Sequence, residues 1–226
     1  MREKKLSPGD SLAYPKIVAN PLDVDLRLSD FGVNREGIRY IALAANGARN
    51  DSIAFDPKTA PGLFSYIYGV RALREVFVGN AGYAQVSRQN IEAVYDAPLR
   101  KIMFQTVDVA CTAAAPKAIS EIGVGKQAVI ERAGRSLFPE FDREEDQRIA
   151  KLSEYERAEA WYLCVAFSDA GVTCELSRPR GVANKQFSDF DERIFIIGHD
   201  DPESGSLLRL DDDTPPIEFT PLVFKK

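Results

Sequence analysis

A single histidine, His199, stands in a chain of 226 residues, within the stretch Gly198-His199-Asp200-Asp201-Pro202-Glu203. One imidazole among carboxylates can serve as a general base oriented by an aspartate, so His199, Asp200 and Asp201 are the candidate catalytic residues. The stretch follows a short apolar run, Arg193 to Ile197, and loops at the ends of rigid elements are where site residues concentrate. The same scarcity removes chemistry. A metal centre built from several histidines has no ligands here, and a Ser–His or Cys–His pair has only this one residue to draw on. Asp211-Asp-Asp213 nearby makes the whole region acidic, so an exposed, solvated His199 is the competing expectation.

Other carboxylates offer weaker constellations. Asp23 and Asp25 lie two apart, which on a strand puts both on one face, close enough to share a divalent cation; Arg27 joins them there, as on an ordinary wet sheet face. Asp108, Glu121 and Lys126 loosely resemble the acidic–acidic–lysine core of the restriction-enzyme-like nucleases, which would imply metal-dependent cleavage of nucleic acid. In that family one residue separates the second acid from the lysine, whereas four separate Glu121 from Lys126, two of them glycine. Asp169 and Glu175 depart as well, because Ser177 stands where the lysine belongs. Ile122-Gly-Val-Gly-Lys126 invites comparison with a phosphate-binding loop, but Ser120 and Gln127 occupy positions that need Gly and Ser or Thr. It reads as a glycine-rich turn. No metal site and no cofactor motif is assigned.

Charge is unevenly spread. Residues 57–139 carry ten basic side chains against six acidic, and residues 140–226 carry eleven against twenty. A basic middle could hold a phosphate backbone, which makes Lys126, Arg132 and Arg135 the candidate nucleic-acid-binding residues. Tyr66 and Tyr68 beside Arg71 and Arg74 could form a stacking platform, although alternate residues on a helix diverge, leaving one core and one surface. The net charge of −5 argues against a dedicated nucleic-acid binder. A self-complementary contact between copies is the other use of such asymmetry.

The elements that must position these residues follow from periodicity. Leu22 to Leu28 alternates apolar and charged residues and predicts a strand; Ile38 to Ala44 predicts a second, paired with it as a long-looped hairpin. Thr59-Ala-Pro61 opens a helix to Phe77 whose stripe Leu63, Ile67, Val70, Leu73 and Phe77 should be buried. Lys101 to Ala110 reads as a buried strand, Gln127 to Arg135 as helix, and Asp142-Arg-Glu-Glu145 and Ser153-Glu-Tyr-Glu156 as capping boxes that start two short helices. Trp161 to Phe167 and Val172 to Ser177 should form a hairpin with Asp169-Ala170-Gly171 as a three-residue loop, setting Ser168 against Val172 and Ala166 against Cys174. Leu207 to Leu210 and Ile217 to Phe224 are further strand candidates.

Together these predict one α+β domain over residues 1–226, with a mixed or antiparallel sheet of N- and C-terminal strands packed on a central helical segment. Cys111, Cys164 and Cys174 form no disulfide framework and suit a reducing cytoplasm. The apolar runs are too short for a bilayer span, and the charged start Met1-Arg-Glu-Lys-Lys does not resemble a signal peptide. The expected function is a cytoplasmic, non-enzymatic binding or assembly module with an unknown protein partner or a second copy of itself. The alternative is a metal-dependent nucleic-acid hydrolase using acidic residues and His199.

Overall fold

Asn20 and Pro21 decide the first element. In the computed structural model, which describes residues 14–97, 99–133 and 153–199, the Asn20 side chain accepts the amide of Leu22 at 3.0 Å and Pro21 takes a first-turn position. Helix α1 (Pro21–Ser29) results, not the strand that the alternation predicts. Apolar residues at 22, 24, 26 and 28 satisfy a period of two, but they are equally two i,i+4 pairs. Val24 and Leu28 are fully buried, while Leu22 and Leu26 face solvent. Asp23, Asp25 and Arg27 are dispersed accordingly: Asp25 pairs with Arg35, and Arg27 with Asp30 and Glu192.

The expected second strand is also helical. Asn34 caps helix α2 (Arg35–Asn50) by accepting the Gly37 amide at 2.9 Å. Ile38, Ile41, Ala42 and Ala45 then fall at helical spacing on the buried face. The expected N-terminal hairpin is therefore absent from the described residues. Helix α3 (Ala60–Ala81) begins and ends close to expectation, with Gly82 at φ +73° as its left-handed stop. Val70, Leu73 and Phe77 are buried, but Leu63 and Ile67 remain 53% and 43% exposed. The helix instead turns Ser65, Gly69 and Ala72 inward, small residues that let it approach the sheet closely.

The sheet is mixed and joins both ends of the described chain. Its strands are β1 (Lys16–Val18), β2 (Ala84–Arg88), β3 (Ile91–Asp96), β4 (Arg100–Thr106), β5 (Glu159–Ser168), β6 (Gly171–Ala183) and β7 (Gln186–Ile197), ordered β1-β7-β6-β5-β4-β3-β2. The β1/β7 and β4/β5 pairs are parallel and the rest antiparallel, an α+β arrangement. At the β5–β6 turn Gly171 takes a positive φ of 132°, and pairing starts one residue earlier than expected, with Ser168 opposite Gly171 and Ala166 opposite Thr173. Cys174 consequently faces Val165, and Cys164 faces Glu175. All three cysteines are free.

Alternation along β5 serves two cores. Trp161, Leu163 and Val165 pack under α1–α3, and Ala160, Tyr162, Cys164 and Ala166 line the opposite face. Trp161 meets Phe31 edge-on at 4.9 Å between centroids. The second face is covered by helix α4 (Val124–Arg132) and the one-turn helix α5 (Glu154–Arg157). The capping-box expectation at Ser153 holds, with Ser153 and Glu156 bonding reciprocally. The expected helix at 142–145 and the strands at 207–210 and 217–224 lie outside the described residues. Among the described residues no helix is long and apolar enough to cross a membrane.

Candidate functional site

Arg88, Gln89 and Ile91 form one wall of a cavity on the α4 and α5 side of the sheet. Gln89 and Asn90 both take left-handed backbone angles, φ 52° and 61°, the geometry of a two-residue hairpin loop between β2 and β3. Asn adopts this region readily and Gln less so, at a cost of order 1 kcal/mol. The turn holds Arg88 opposite Ile91, with the Arg88 guanidinium 4.6 Å from the centroid of the Tyr155 ring. Tyr155 is set from the other side by the capping box of α5, and Tyr95 meets it edge-on at 5.2 Å.

Lys101 closes the back of the space. It is fully buried, and its Nζ donates to the backbone carbonyls of Tyr155 at 2.8 Å and Glu156 at 3.1 Å. These belong to the short helix whose last carbonyls lack helical partners, so the ammonium satisfies them. The ammonium also lies 4.9 Å from the Tyr155 ring centroid. Burial pushes the Lys101 pKa down to about 8 against the opposing attraction of Glu156. Arg132 at the end of α4 donates to Glu156 Oε1 at 3.0 Å, while Glu156 Oε2 accepts both the amide and the hydroxyl of Ser153. The bonds from Ser153 come first among the causes that hold the Glu156 carboxyl below its usual range.

The cavity measures about 380 Å³, within the range of small-molecule sites. Among the described residues Arg88, Lys101 and Arg132 face a single carboxylate, Glu156, and Ile91, Ala128 and Val129 supply apolar wall. Among the described residues no carboxylate pairs with Arg88, the cation at the β2–β3 turn. A second cavity of similar size lies where α4 ends against β5–β7. There the charges are consumed internally: Arg178 pairs with Glu159 and Asp191, and Arg180 with Asp191.

Of the residues singled out from sequence, Arg132 lines the first cavity. Lys126 turns inward instead, its Nζ donating to Gln105 Oε1 at 2.7 Å, and Gly123 three residues before it is the N-cap of α4. His199 is exposed just beyond β7. Asp200, Asp201 and Arg135 lie outside the described residues. Asp108, Glu121 and Lys126 do not converge: Asp108 Oδ1 accepts the amides of Val109 and Lys117, and Glu121 pairs with Lys185. Among the described residues no three His, Cys, Asp or Glu side chains are placed to hold a metal ion. Tyr66 packs against Phe104, while Tyr68 stays at the surface under Arg71, so the two tyrosines make no common platform.

Glu175 belongs to a closed knot. Its two oxygens accept from Arg193 Nε at 2.8 Å, Arg193 Nη2 at 2.7 Å, Ser177 Oγ at 2.6 Å and the Cys111 amide at 2.6 Å. All of its accepting capacity is spent on protein, and burial pushes the neighbouring Cys111 thiol up to about 12. Neither group is poised for catalysis. Sequence reasoning did not single out Arg88, Lys101 or Tyr155 as a group. The available signals were the basic middle, which counts Arg88 and Lys101, and the Ser153 capping box, which contains Tyr155. Comparison with protein-family models, curated proteins and solved structures finds no match to this chain.

Proposed function

We propose that this chain is a cytoplasmic, non-enzymatic binding module whose ligand site is the cavity between the β2–β3 hairpin, β4, α4 and α5. The observation that carries this reading is the pairing pattern around Tyr155. The cavity is already formed, its carboxylate is engaged by Ser153 and Arg132, and Arg88 stands at its wall with no carboxylate partner among the described residues. Preformed space lined by apolar wall and a few oriented polar groups is what small-molecule recognition requires. The hydrolase alternative needs several acidic side chains converging beside the basic residues, and among the described residues Glu156 is the one acidic side chain that lines this cavity.

Ligand-observed NMR tests the reading with the full chain and a small-molecule set containing anionic, neutral and cationic members. The comparison is with Val129→Trp, which fills the cavity from α4. The expected result is a bound class in the wild type that the filled variant loses. No binding by the wild type, or binding that the tryptophan leaves intact, would overturn the proposal.

A further inference from the structure

We infer that the ligand of this cavity is a small organic anion, a carboxylate or a phosphate monoester on an apolar body, with its anionic group met by Arg88. This inference rests on the binding reading above and names the chemistry of that same site.

Three features of the lining select the class. The first is charge: among the described residues three cations face one carboxylate, so their lining is net positive. Lys101 has spent two of its donors on the Tyr155 and Glu156 carbonyls, and Arg132 is tied to Glu156. Among the described residues the Arg88 guanidinium makes no hydrogen bond or ion pair beyond its contact with the Tyr155 ring, and its fork matches the two oxygens of a carboxylate or phosphate. The second feature is the opposite wall. Ile91, Ala128 and Val129 give it apolar character, which an inorganic ion alone would leave uncovered. The third is that Tyr155 is already occupied. Arg88 and Lys101 lie within 4.6 and 4.9 Å of its ring centroid and Tyr95 meets it edge-on. The ligand body therefore rests on the aliphatic wall, and a nucleobase stacked on Tyr155 does not fit the arrangement.

Isothermal titration of the full chain at pH 7 with phenylacetate, phenyl phosphate, benzyl alcohol and inorganic phosphate tests the class. At least one of the two organic anions is expected to bind tenfold or more tightly than benzyl alcohol and inorganic phosphate. The difference between the first two probes tells a carboxylate from a phosphate source. Arg88→Met should weaken that binding by about tenfold, and Arg88→Lys should retain part of it, because position 88 is exposed and neither change disturbs the core. Benzyl alcohol binding as tightly as the anions, or an Arg88→Met protein that binds them unchanged, overturns the anion assignment while the binding reading survives. If all four probes fail but the broader set of small molecules still gives a ligand lost in Val129→Trp, the assignment falls alone. If that set fails too, both fall.

Discussion

Gly69 of α3 lies flat against the ring of Phe104 on β4. A Cβ at position 69 would sit 2.5 Å from Cζ of that ring and 2.6 and 2.7 Å from its two Cε atoms, closer than packed carbons ever come. Phe104 is itself buried under α3, with Tyr66 tilted against it, so the ring has little room to yield. Gly69→Ala should therefore destabilise the protein by about 1–3 kcal/mol despite alanine's better helix propensity. Gly79 in the same helix has nothing within 4 Å of its virtual Cβ. Gly79→Ala should be neutral or stabilise by up to about 1 kcal/mol. Urea unfolding of the two variants checks the pair, and equal effects would mean that the contact with Phe104 does not govern position 69.

That contact also shows why parts of the fold resist reading. The stripe Leu63, Ile67, Val70, Leu73, Phe77 is a correct helix signal, but the direction in which it faces is set by how closely α3 can approach β4. Small residues at 65, 69 and 72 set that distance, and hydrophobicity does not count them. The first two elements failed for another reason. Over seven residues an alternating pattern is compatible with either period, and the caps Asn20 and Asn34 arbitrate; both read more naturally as loop residues until their side chains are seen to accept helical amides. Strand β5 was legible because it is buried on both faces and reads as an unbroken apolar run. The cavity was legible only in pieces. Arg132 came from charge and Tyr155 from a capping box, but their convergence with Arg88 and Lys101 depends on β4 pairing in parallel with β5, a crossover that no local pattern encodes.

The Glu175–Arg193 pair should be costly to break and cheap to replace. Both side chains are essentially inaccessible, at 0% and 2% exposure, and Glu175 has further bonds from Ser177 and the Cys111 amide. Glu175→Met alone leaves a buried guanidinium without its anion and should cost about 3–5 kcal/mol. Glu175→Met combined with Arg193→Met should recover much of that loss, because the desolvation cost of both charges disappears. A double variant as unstable as the sum of the two singles would show that the pair acts through packing alone.

Ser153 links the capping box to the cavity. Its hydroxyl and amide fix Glu156, which in turn holds Arg132. Ser153→Ala should cost about 1 kcal/mol, the usual worth of an N-cap. It should also loosen α5 and hence the position of Tyr155 relative to Arg88. The checks are equilibrium unfolding and the ring-proton NMR shifts of Tyr155, assigned by their loss in Tyr155→Phe. A loss of stability without any change at Tyr155 would separate the cap from the cavity wall.

Lys101 predicts a pH dependence whose sign can be worked through. Its folded pKa, about 8, lies below the usual 10.5 because burial disfavours the ammonium. Between those values the unfolded chain holds a proton that the folded one has released, so the Lys101 contribution to stability rises with pH across this window. It is fully present above 10.5 and lost as pH falls through 8. Other buried groups oppose it: Cys111, raised to about 12, and Cys164 and Cys174, also raised, stay protonated when folded and lower stability once the unfolded thiols ionise above about 9. Lys126, lowered by burial, adds to the rise. The wild-type curve alone therefore does not isolate Lys101, but its difference from Lys101→Met does, because the cysteines and Lys126 are common to both. Measured by urea unfolding, the stability of wild type relative to Lys101→Met should increase by about 2 kcal/mol between pH 7 and pH 9.5. A flat difference across that range would mean that Lys101 keeps an ordinary ammonium in the folded protein and that its burial behind Tyr155 carries no electrostatic cost.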